Sequence, residues 1–353
     1  MMSFDYQKLI HKLAVSVAKI EKQIAPCFPL YRLTDSPSWV TSSRGSWVAG
    51  FWAGSCWLAG YFSNHATLIS RTQFRWEQIQ AGKHVQSVFR AMNAWYGFGP
   101  ALRLVNDAQA GELIFQFQEK LCQTFAPWQG FPVGTEMGGG KHGNNCLSID
   151  PCAALVELGV HHNWQEMPQA HARLTVRQLI HSSGKFYTHS HFDPSESSEK
   201  WQSVGKAGSW PRGQSWGMLG MACAALYNPE TFLHVAELSC GVWWQDYTDD
   251  SSDVPKTGHY VLDPSATLIS AVAFFKLDEA CGGHSVWWER GKTLLHQVLT
   301  NPSFIEEGET IRFVGCCYTA SENNQQVVEM PYGYFFLYQA LLVVSGAIKA
   351  STF

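Results

Sequence analysis

The sequence is poor in charged residues and lacks the signals of several common protein classes. Only 15% of its 353 residues are charged, and the formal net charge is −4 with no cluster of Lys and Arg. A nucleic-acid partner is not expected, because binding a phosphate backbone needs such a cluster. The first thirty residues lack the pattern of a signal peptide, and no apolar run is long enough to span a bilayer. We expect a cytoplasmic protein without membrane contact.

Metal-binding and disulfide patterns are also missing. The ten cysteines are scattered through apolar segments of a chain with no export signal, which favours buried free thiols. Cys316 and Cys317 are adjacent and lack the spacer of a zinc knuckle. His189 and His191 alternate as on a strand, but no third ligand with suitable spacing accompanies them. We therefore predict no metal site.

Apolar segments with helical spacing are abundant. Hydrophobic residues make up 46% of the chain. Their spacing predicts about twelve helices, near 5–25, 50–63, 73–93, 98–108, 111–126, 145–160, 168–182, 213–227, 230–246, 264–281, 284–300 and 334–350. Long connections follow every odd-numbered helix except the third, and short ones follow the even-numbered helices. In an antiparallel array the long loops therefore share one end, where sites are usually built. We predict an all-α (α/α)6 double barrel, a single domain over 1–353.

Two of the long loops end in the same Asp-Pro helix start, IDPCA at 149–153 and LDPSA at 262–266. An Asp at the N-cap accepts unpaired amide protons of the first turn, and the following Pro has none to lose. This structural interpretation is favoured for Asp263. For Asp150 a ligand-binding or catalytic role is equally open, because this residue closes the polar loop GGGKHGNNCLSID at 138–150, whose glycines allow close approach to a ligand.

Aromatic residues gather in the loops and at the adjoining helix ends. Many must fill the core, as aromatic side chains do. The segment GSWPRGQSWG at 208–217, however, sets tryptophans beside Arg212 and Gln214. Such a mixture can stack on sugar rings while it bonds their hydroxyl groups. The pattern favours a carbohydrate-binding cleft at the loop end of the barrel.

These segments resemble the unsaturated glucuronyl hydrolases, glycoside hydrolase family 88, and the related unsaturated rhamnogalacturonyl hydrolases of family 105. The resemblance runs from about residue 40 to 345 and rests on the order of several motifs. The motifs are WVAGFWAG at 47–54, SID at 148–150, FDP at 192–194, WPRGQSWG at 210–217, DPSA at 263–266 and PYGYFF at 331–336.

The resemblance implies a six-hairpin glycosidase that acts on the oligosaccharides left by polysaccharide lyases, without a redox cofactor. In such enzymes an aspartate protonates the C4–C5 double bond of an unsaturated uronic acid and helps water to add. The matching residue is Asp150, whose burial would have to raise its pKa against the helix dipole. The expected substrate-binding residues are Trp47, Trp52, Asn93, Trp95, His142, Gln202, Trp210, Arg212, Gln214, Trp216 and Tyr332.

Two residues of the family pattern are missing. An aspartate is expected just before a Gly-Phe pair, but Trp95 and Tyr96 precede the pair at 97–98, and Asn93 is the closest polar residue. A histidine upstream of the WPRGQ run is also replaced, with Gln202 or Ser203 near its place.

These departures keep alternatives to a standard family mechanism open. In a hydrolase, Glu136 or Glu329 could replace the missing carboxylate. A second interpretation is a catalytically inactive carbohydrate-binding protein. A third is a sugar epimerase on the same barrel, which would depend on histidines that face the barrel's centre.

Overall fold

The computed structural model describes residues 4–160, 164–193, 200–248, 263–321 and 324–353. Within these ranges the chain forms twelve α-helices: α1 Tyr6–Ile24, α2 Ala49–Phe62, α3 Ala66–Ala81, α4 Arg90–Val105, α5 Ala108–Cys122, α6 Cys152–Gly159, α7 Glu166–Leu179, α8 Pro211–Tyr227, α9 Pro229–Tyr247, α10 Pro264–Ala280, α11 Val286–Thr300 and α12 Pro331–Val344.

Short strands in the loops accompany the helices: β1 Phe28–Leu33, β2 Val40–Ser42, β3 Cys146–Ser148, β4 His189–Phe192, β5 Trp201–Ser203, β6 Phe304–Glu307, β7 Thr310–Phe313, β8 Cys316–Ser321 and β9 Asn324–Glu329. They form antiparallel sheets with the orders β2-β1-β9-β8, β3-β4-β5 and β6-β7. The first two sheets join strands from different long loops, and the third is a hairpin within the connection between α11 and α12.

The six even-numbered helices form a closed inner ring. Following the ring, α2 packs against α4, α4 against α6, α6 against α8, α8 against α10 and α10 against α12, which returns to α2. The odd-numbered helices pack outside this ring, each against the even-numbered helix that precedes or follows it in sequence. This arrangement is an (α/α)6 barrel, so the predicted all-α fold class is confirmed.

Burial separates the two layers of the barrel. In the inner helix α10, every residue from Pro264 to Asp278 is buried, and α12 is buried from Pro331 to Val343. The outer helix α3 buries a single face, made of Leu68, Thr72, Arg75, Trp76 and Ile79. A helix that is apolar all round needs protein on every side, whereas an amphipathic helix can lie at the surface. The low charge content of the chain reflects the size of this inner layer.

Three helices differ most from the sequence-based expectation. The predicted helices at 73–93 and 98–108 are instead Ala66–Ala81 and Arg90–Val105. Pro100 lies inside α4, although proline usually disfavours a helix interior. The predicted helix at 145–160 is shortened to Cys152–Gly159, because residues 146–148 pair with β4 as strand β3.

The long connections do lie at one face, before the N-terminal ends of the inner helices, and they include 25–48, 123–151, 180–210 and 301–330. No helix in the described part of the chain is long and apolar enough to cross a membrane. All ten cysteines fall within the described ranges and are free thiols. Those ranges contain no group of three or more His, Cys, Asp or Glu that could hold a metal ion.

Candidate active site

The N-terminal ends of the inner helices bring distant residues together at the face with the long loops. Asp150 lies two residues before α6, and Arg212 is the second residue of α8. Tyr332 is the second residue of α12, and Trp47 lies in the 3-10 turn Ser46–Val48 ahead of α2. The contacts that follow show that the N-terminal ends of four inner helices contribute to one site.

Asp150 is an acid whose carboxyl group is poorly solvated. Its Oδ1 is enclosed and has no hydrogen-bond partner among the described residues. Burial raises the pKa of Asp150 to about 7, although the positive charge of Arg212 opposes the shift. Burial thus outweighs the influences that favour the anion. The carboxyl group can hold and release a proton near neutral pH, as acid-base catalysis requires.

Arg212 is a buried cation that is held from one side. Its Nη1 donates to the Cys317 carbonyl oxygen at 2.5 Å and to Tyr332 Oη at 3.0 Å, and it lies 3.6 Å from Asp263 Oδ2. Its guanidinium carbon lies 5.1 Å from the centre of the Trp210 ring. No hydrogen bond to a described residue uses Nε or Nη2 of Arg212, so these donors can meet an anionic ligand.

Two partly exposed tryptophans line this cleft. Trp47 stacks on Tyr332, with ring centroids 5.7 Å apart and 28° between the planes. Trp210 lies over Arg212, and its Nε1 has no partner among the described residues. Tyr332 itself is fully buried below Trp47. Trp47 and Trp210 can therefore face a sugar, whereas Tyr332 supports Arg212 and does not meet the expectation of direct substrate contact.

Three other tryptophans proposed for substrate binding belong to the core. Trp52 is fully buried and donates from Nε1 to Glu21 Oε2 at 2.8 Å, which points its ring towards α1. Trp216 and Trp95 are each only 1% exposed. The Trp216 ring packs 5.4 Å from that of Phe336 in the barrel interior. Substrate contact is therefore wrong for these three residues in this structure, because packing inside the barrel already covers their rings.

Gln214 also has a structural role. Its Oε1 accepts from the backbone N–H of Phe186 at 2.8 Å, and its Nε2 donates to the Gly184 carbonyl at 3.3 Å. The side chain is buried and its amide is used at both ends. Gln214 therefore fastens the connection between α7 and α8 and does not contact a ligand, contrary to the sequence-based expectation.

Asn93 is the polar residue closest to the position where the resemblance leads one to expect a second aspartate. Its Oδ1 accepts from the Gly50 N–H at 3.0 Å, and its Nδ2 donates to the Ser46 carbonyl at 2.8 Å. A Cβ atom on Gly50 would lie 2.5 Å from the Asn93 backbone, so glycine is required for this approach of α2 to α4. Because both ends of its amide are engaged, Asn93 fixes the start of α2 beside Trp47 and cannot act as an acid.

Glu329 and Glu136, the two carboxyl groups considered as replacements for the missing aspartate, differ in burial and in hydrogen bonding. Glu329 is fully buried and accepts hydrogen bonds from Arg32, Arg312 and Tyr334 at 2.7 to 2.9 Å. Its role is structural, because two arginines hold the carboxylate, and the expectation that it replaces the missing aspartate is wrong. Glu136 is exposed, accepts from the Gln86 N–H at 2.6 Å and lines a cavity of about 320 Å³ together with Asn93.

The β3-β4-β5 sheet pairs polar residues of the connection between α7 and α8 with the strand that leads to Asp150. His191 is opposite Cys146 on one side and Gln202 on the other, and β3 ends two residues before Asp150. The predicted strand with His189 and His191 is thus confirmed, while Pro194 of the FDP motif falls outside the described residues. Gln202 and His142 are exposed, and their contact with a substrate stays a prediction.

Asp263 belongs to the site, although its sequence motif indicates only a helix cap. It caps α10 by accepting from the Ala266 N–H at 3.2 Å, as its motif predicts. Its other oxygen faces Arg212, and the Ser265 hydroxyl donates to Asp263 and lies 3.2 Å from Tyr332 Oη. The second Asp-Pro motif was a signal for this location, although only the structure shows which cation the carboxylate meets.

The chain can now be compared with known proteins. No protein-family model matches it. The unsaturated chondroitin disaccharide hydrolase of Streptococcus pneumoniae (strain ATCC BAA-255 / R6) is 22% identical over 215 residues, which cover 55% of this chain and 50% of that protein. The chain therefore spans about half the length of this curated relative in the match.

Solved structures match over nearly the whole chain. Unsaturated glucuronyl hydrolase from Bacillus sp. GL1 has a TM-score of 0.81 at 17% identity, with 97% of each chain covered. The fold is that of the unsaturated glucuronyl hydrolases. A variant of such an enzyme, named together with the oligosaccharide dGlcA-Glc-Rha-Glc, gives the same TM-score, identity and coverage.

Proposed function

We propose that this protein is a glycoside hydrolase that acts on short uronic-acid-containing oligosaccharides by hydrating the double bond of an unsaturated uronyl residue. The observation that carries the proposal is the enclosed carboxyl group of Asp150 beside Arg212, a buried cation with uncommitted donors. The fold match and the partial match to a chondroitin disaccharide hydrolase support the same reaction.

In the proposed reaction Asp150 acts first as an acid and then as a base. Its carboxyl proton moves to C4 of the C4–C5 double bond, which leaves positive charge on C5 and the ring oxygen. The carboxylate of Asp150 then takes a proton from water while the water oxygen bonds to C5. The product is a hemiketal, which opens and releases the next sugar. A single carboxyl group completes this cycle, because the proton that it loses is replaced by the one from water.

Arg212 and the two partly exposed tryptophans would orient the substrate for this step. The free donors of the guanidinium suit the planar carboxylate of a uronic acid. Trp47 and Trp210 offer apolar faces to the sugar ring beside that charge. Three observations thus fit one ligand: an acid, a cation for the carboxylate and an aromatic wall.

We further propose a single-domain protein of the cytoplasm, whose partner is the oligosaccharide substrate. Ten free thiols are typical of a reducing compartment. The epimerase alternative receives no such support, because none of the six inner helices contains a histidine. The inactive binding protein remains a distinct outcome of the test below.

The test follows the ultraviolet absorbance of the conjugated double bond in lyase-generated disaccharides from chondroitin, heparin, alginate and pectin. We expect the parent protein to remove the absorbance of at least one substrate, and Asp150→Asn to be slower by about 1000-fold. Asp107→Asn is the matched control, because Asp107 caps α5 and contributes nothing to the cleft. If the parent binds these disaccharides without turnover, the protein is a carbohydrate-binding descendant and the proposed reaction is refuted.

A further inference from the structure

We propose that Asp263 is a positioning residue for the reaction, which holds Arg212 at the angle that receives the substrate carboxylate and limits the positive charge that Arg212 exerts on Asp150. This inference rests on the proposed function, since it assigns a role within the same site. It gives a specific task to a carboxylate that the sequence identifies only as a helix cap.

The geometry separates two functions of the Asp263 side chain. Oδ1 accepts from the Ala266 N–H and the Ser265 hydroxyl, which is the cap of α10. Oδ2 faces Nη1 of Arg212 at 3.6 Å. Both side chains are about 8% exposed, so water screens this attraction only weakly. A cap needs only the first oxygen, and the second oxygen is directed at the cation of the site.

The remaining contacts of Arg212 complete a clamp made of Asp263, Tyr332 and the Cys317 carbonyl. All three are directed at a single nitrogen, Nη1, at 2.5 to 3.6 Å. Tyr332 is itself held by the Ser265 hydroxyl at 3.2 Å. Fixing one nitrogen from three directions restricts rotation of the planar guanidinium, and Nε and Nη2 stay without a hydrogen bond to a described residue. A bidentate carboxylate needs this restriction.

The charged groups around Arg212 explain how Asp263 would limit the effect of Arg212 on Asp150. The acidic groups that face it are Asp263 and Asp150, and Tyr332 and Cys317 are its other titratable neighbours. Arg212 is the charged group that opposes the raised pKa of Asp150. If Asp263 lost its charge, the field of Arg212 on Asp150 would be less compensated and would favour the Asp150 anion more strongly. The proton needed for the first step would then leave at lower pH.

The substitution Asp263→Asn tests this role, because asparagine caps helices about as well as aspartate but carries no charge. We expect a loss of about tenfold or more in kcat/KM, mostly as a rise in KM. The alkaline limb of the pH profile should move to lower pH by about half a unit. A residue that served only as a cap would change neither, and Asp107→Asn provides that comparison in α5.

A second variant, Tyr332→Phe, removes a neutral member of the clamp. It should raise KM by about threefold or more, since one hydrogen bond to Arg212 is lost, while the alkaline limb stays in place because no charge changes. Binding of the unsaturated disaccharide by calorimetry supplies a readout besides turnover. A parent that neither binds nor hydrolyses it would overturn the proposed function and this role together. A working parent with an Asp263→Asn variant of equal KM and pH profile would overturn the positioning role alone.

Discussion

The two Asp-Pro motifs of this chain look alike in sequence and differ in register by one residue. At the start of α10, Asp263 is the N-cap and Pro264 is the first helical residue. At the start of α6, Pro151 occupies the N-cap position, and no side chain caps the helix. Asp150 therefore lies one position before the N-cap, and its carboxyl group makes no capping hydrogen bond to the first turn of α6.

This difference decides which aspartate can act as an acid. Asp263 is satisfied by a backbone amide, a hydroxyl and a cation, which favour its anionic form, although burial raises its pKa. Asp150 is half-buried with its Oδ1 enclosed, Arg212 is the one favourable charge, and Oδ1 lacks a partner among the described residues. A one-residue shift thus separates a carboxylate that organises the site from a carboxyl group that can exchange a proton within it.

The largest effect expected from this comparison is on stability. Asp263→Ala removes the cap of α10 and the ion-pair partner of Arg212, so we expect a loss of about 3 kcal/mol in the free energy of unfolding. The cap variant Asp107→Ala should lose only about 1 kcal/mol, because Asp107 caps α5 without an ion pair to any residue in the described part of the chain. Denaturant unfolding near neutral pH measures both. Equal losses would mean that the pairing with Arg212 adds nothing to folding.

At the Asp150 motif, by contrast, we expect the substitution to increase stability. Unfolded Asp150 ionises near 4 and folded Asp150 near 7, so the folded chain binds more protons between these values and its stability falls as pH rises through that window. Asp150→Asn cannot ionise, and we expect it to be more stable than the parent by about 2 kcal/mol at about pH 8. The difference should vanish below about pH 4, where the carboxyl group is protonated in both states. A variant that is less stable at the higher pH would show that the Asp150 carboxylate is well solvated.

The sequence was sufficient for the fold, and the reason is physical. Helical spacing, the alternation of loop lengths and the low charge content all follow from two layers of antiparallel helices. Boundaries failed where a local signal had two meanings. The helix expected over 98–108 begins earlier, at Arg90, with Pro100 inside it, and residues 146–148, expected in a helix, pair with β4.

The site was predicted less completely, because residue type does not reveal which way a side chain points. Asp150, Arg212, Trp47 and Trp210 lie together at one cleft. Trp52 and Trp216 lie in the same motifs as Trp47 and Trp210 but turn into the core, and Trp95 is buried there as well. A tryptophan on an inner helix has the same chemistry in either place. Only the packing of its neighbours determines whether a sugar can reach the ring.

The smallest predicted effect is that of Glu136, the remaining candidate to replace the aspartate that the resemblance leads one to expect. Glu136 is exposed and accepts a hydrogen bond from the Gln86 N–H. The amide oxygen of a glutamine would accept this hydrogen bond equally well. Since one carboxyl group completes the proposed proton cycle, Glu136→Gln should change kcat/KM by no more than about threefold and leave the pH profile in place. Glu309→Gln, on the exposed turn between β6 and β7, is the control. A loss comparable to that of Asp150→Asn would instead identify Glu136 as a second essential carboxylate, and the contrast between the two Asp-Pro motifs would no longer suffice to explain the chemistry.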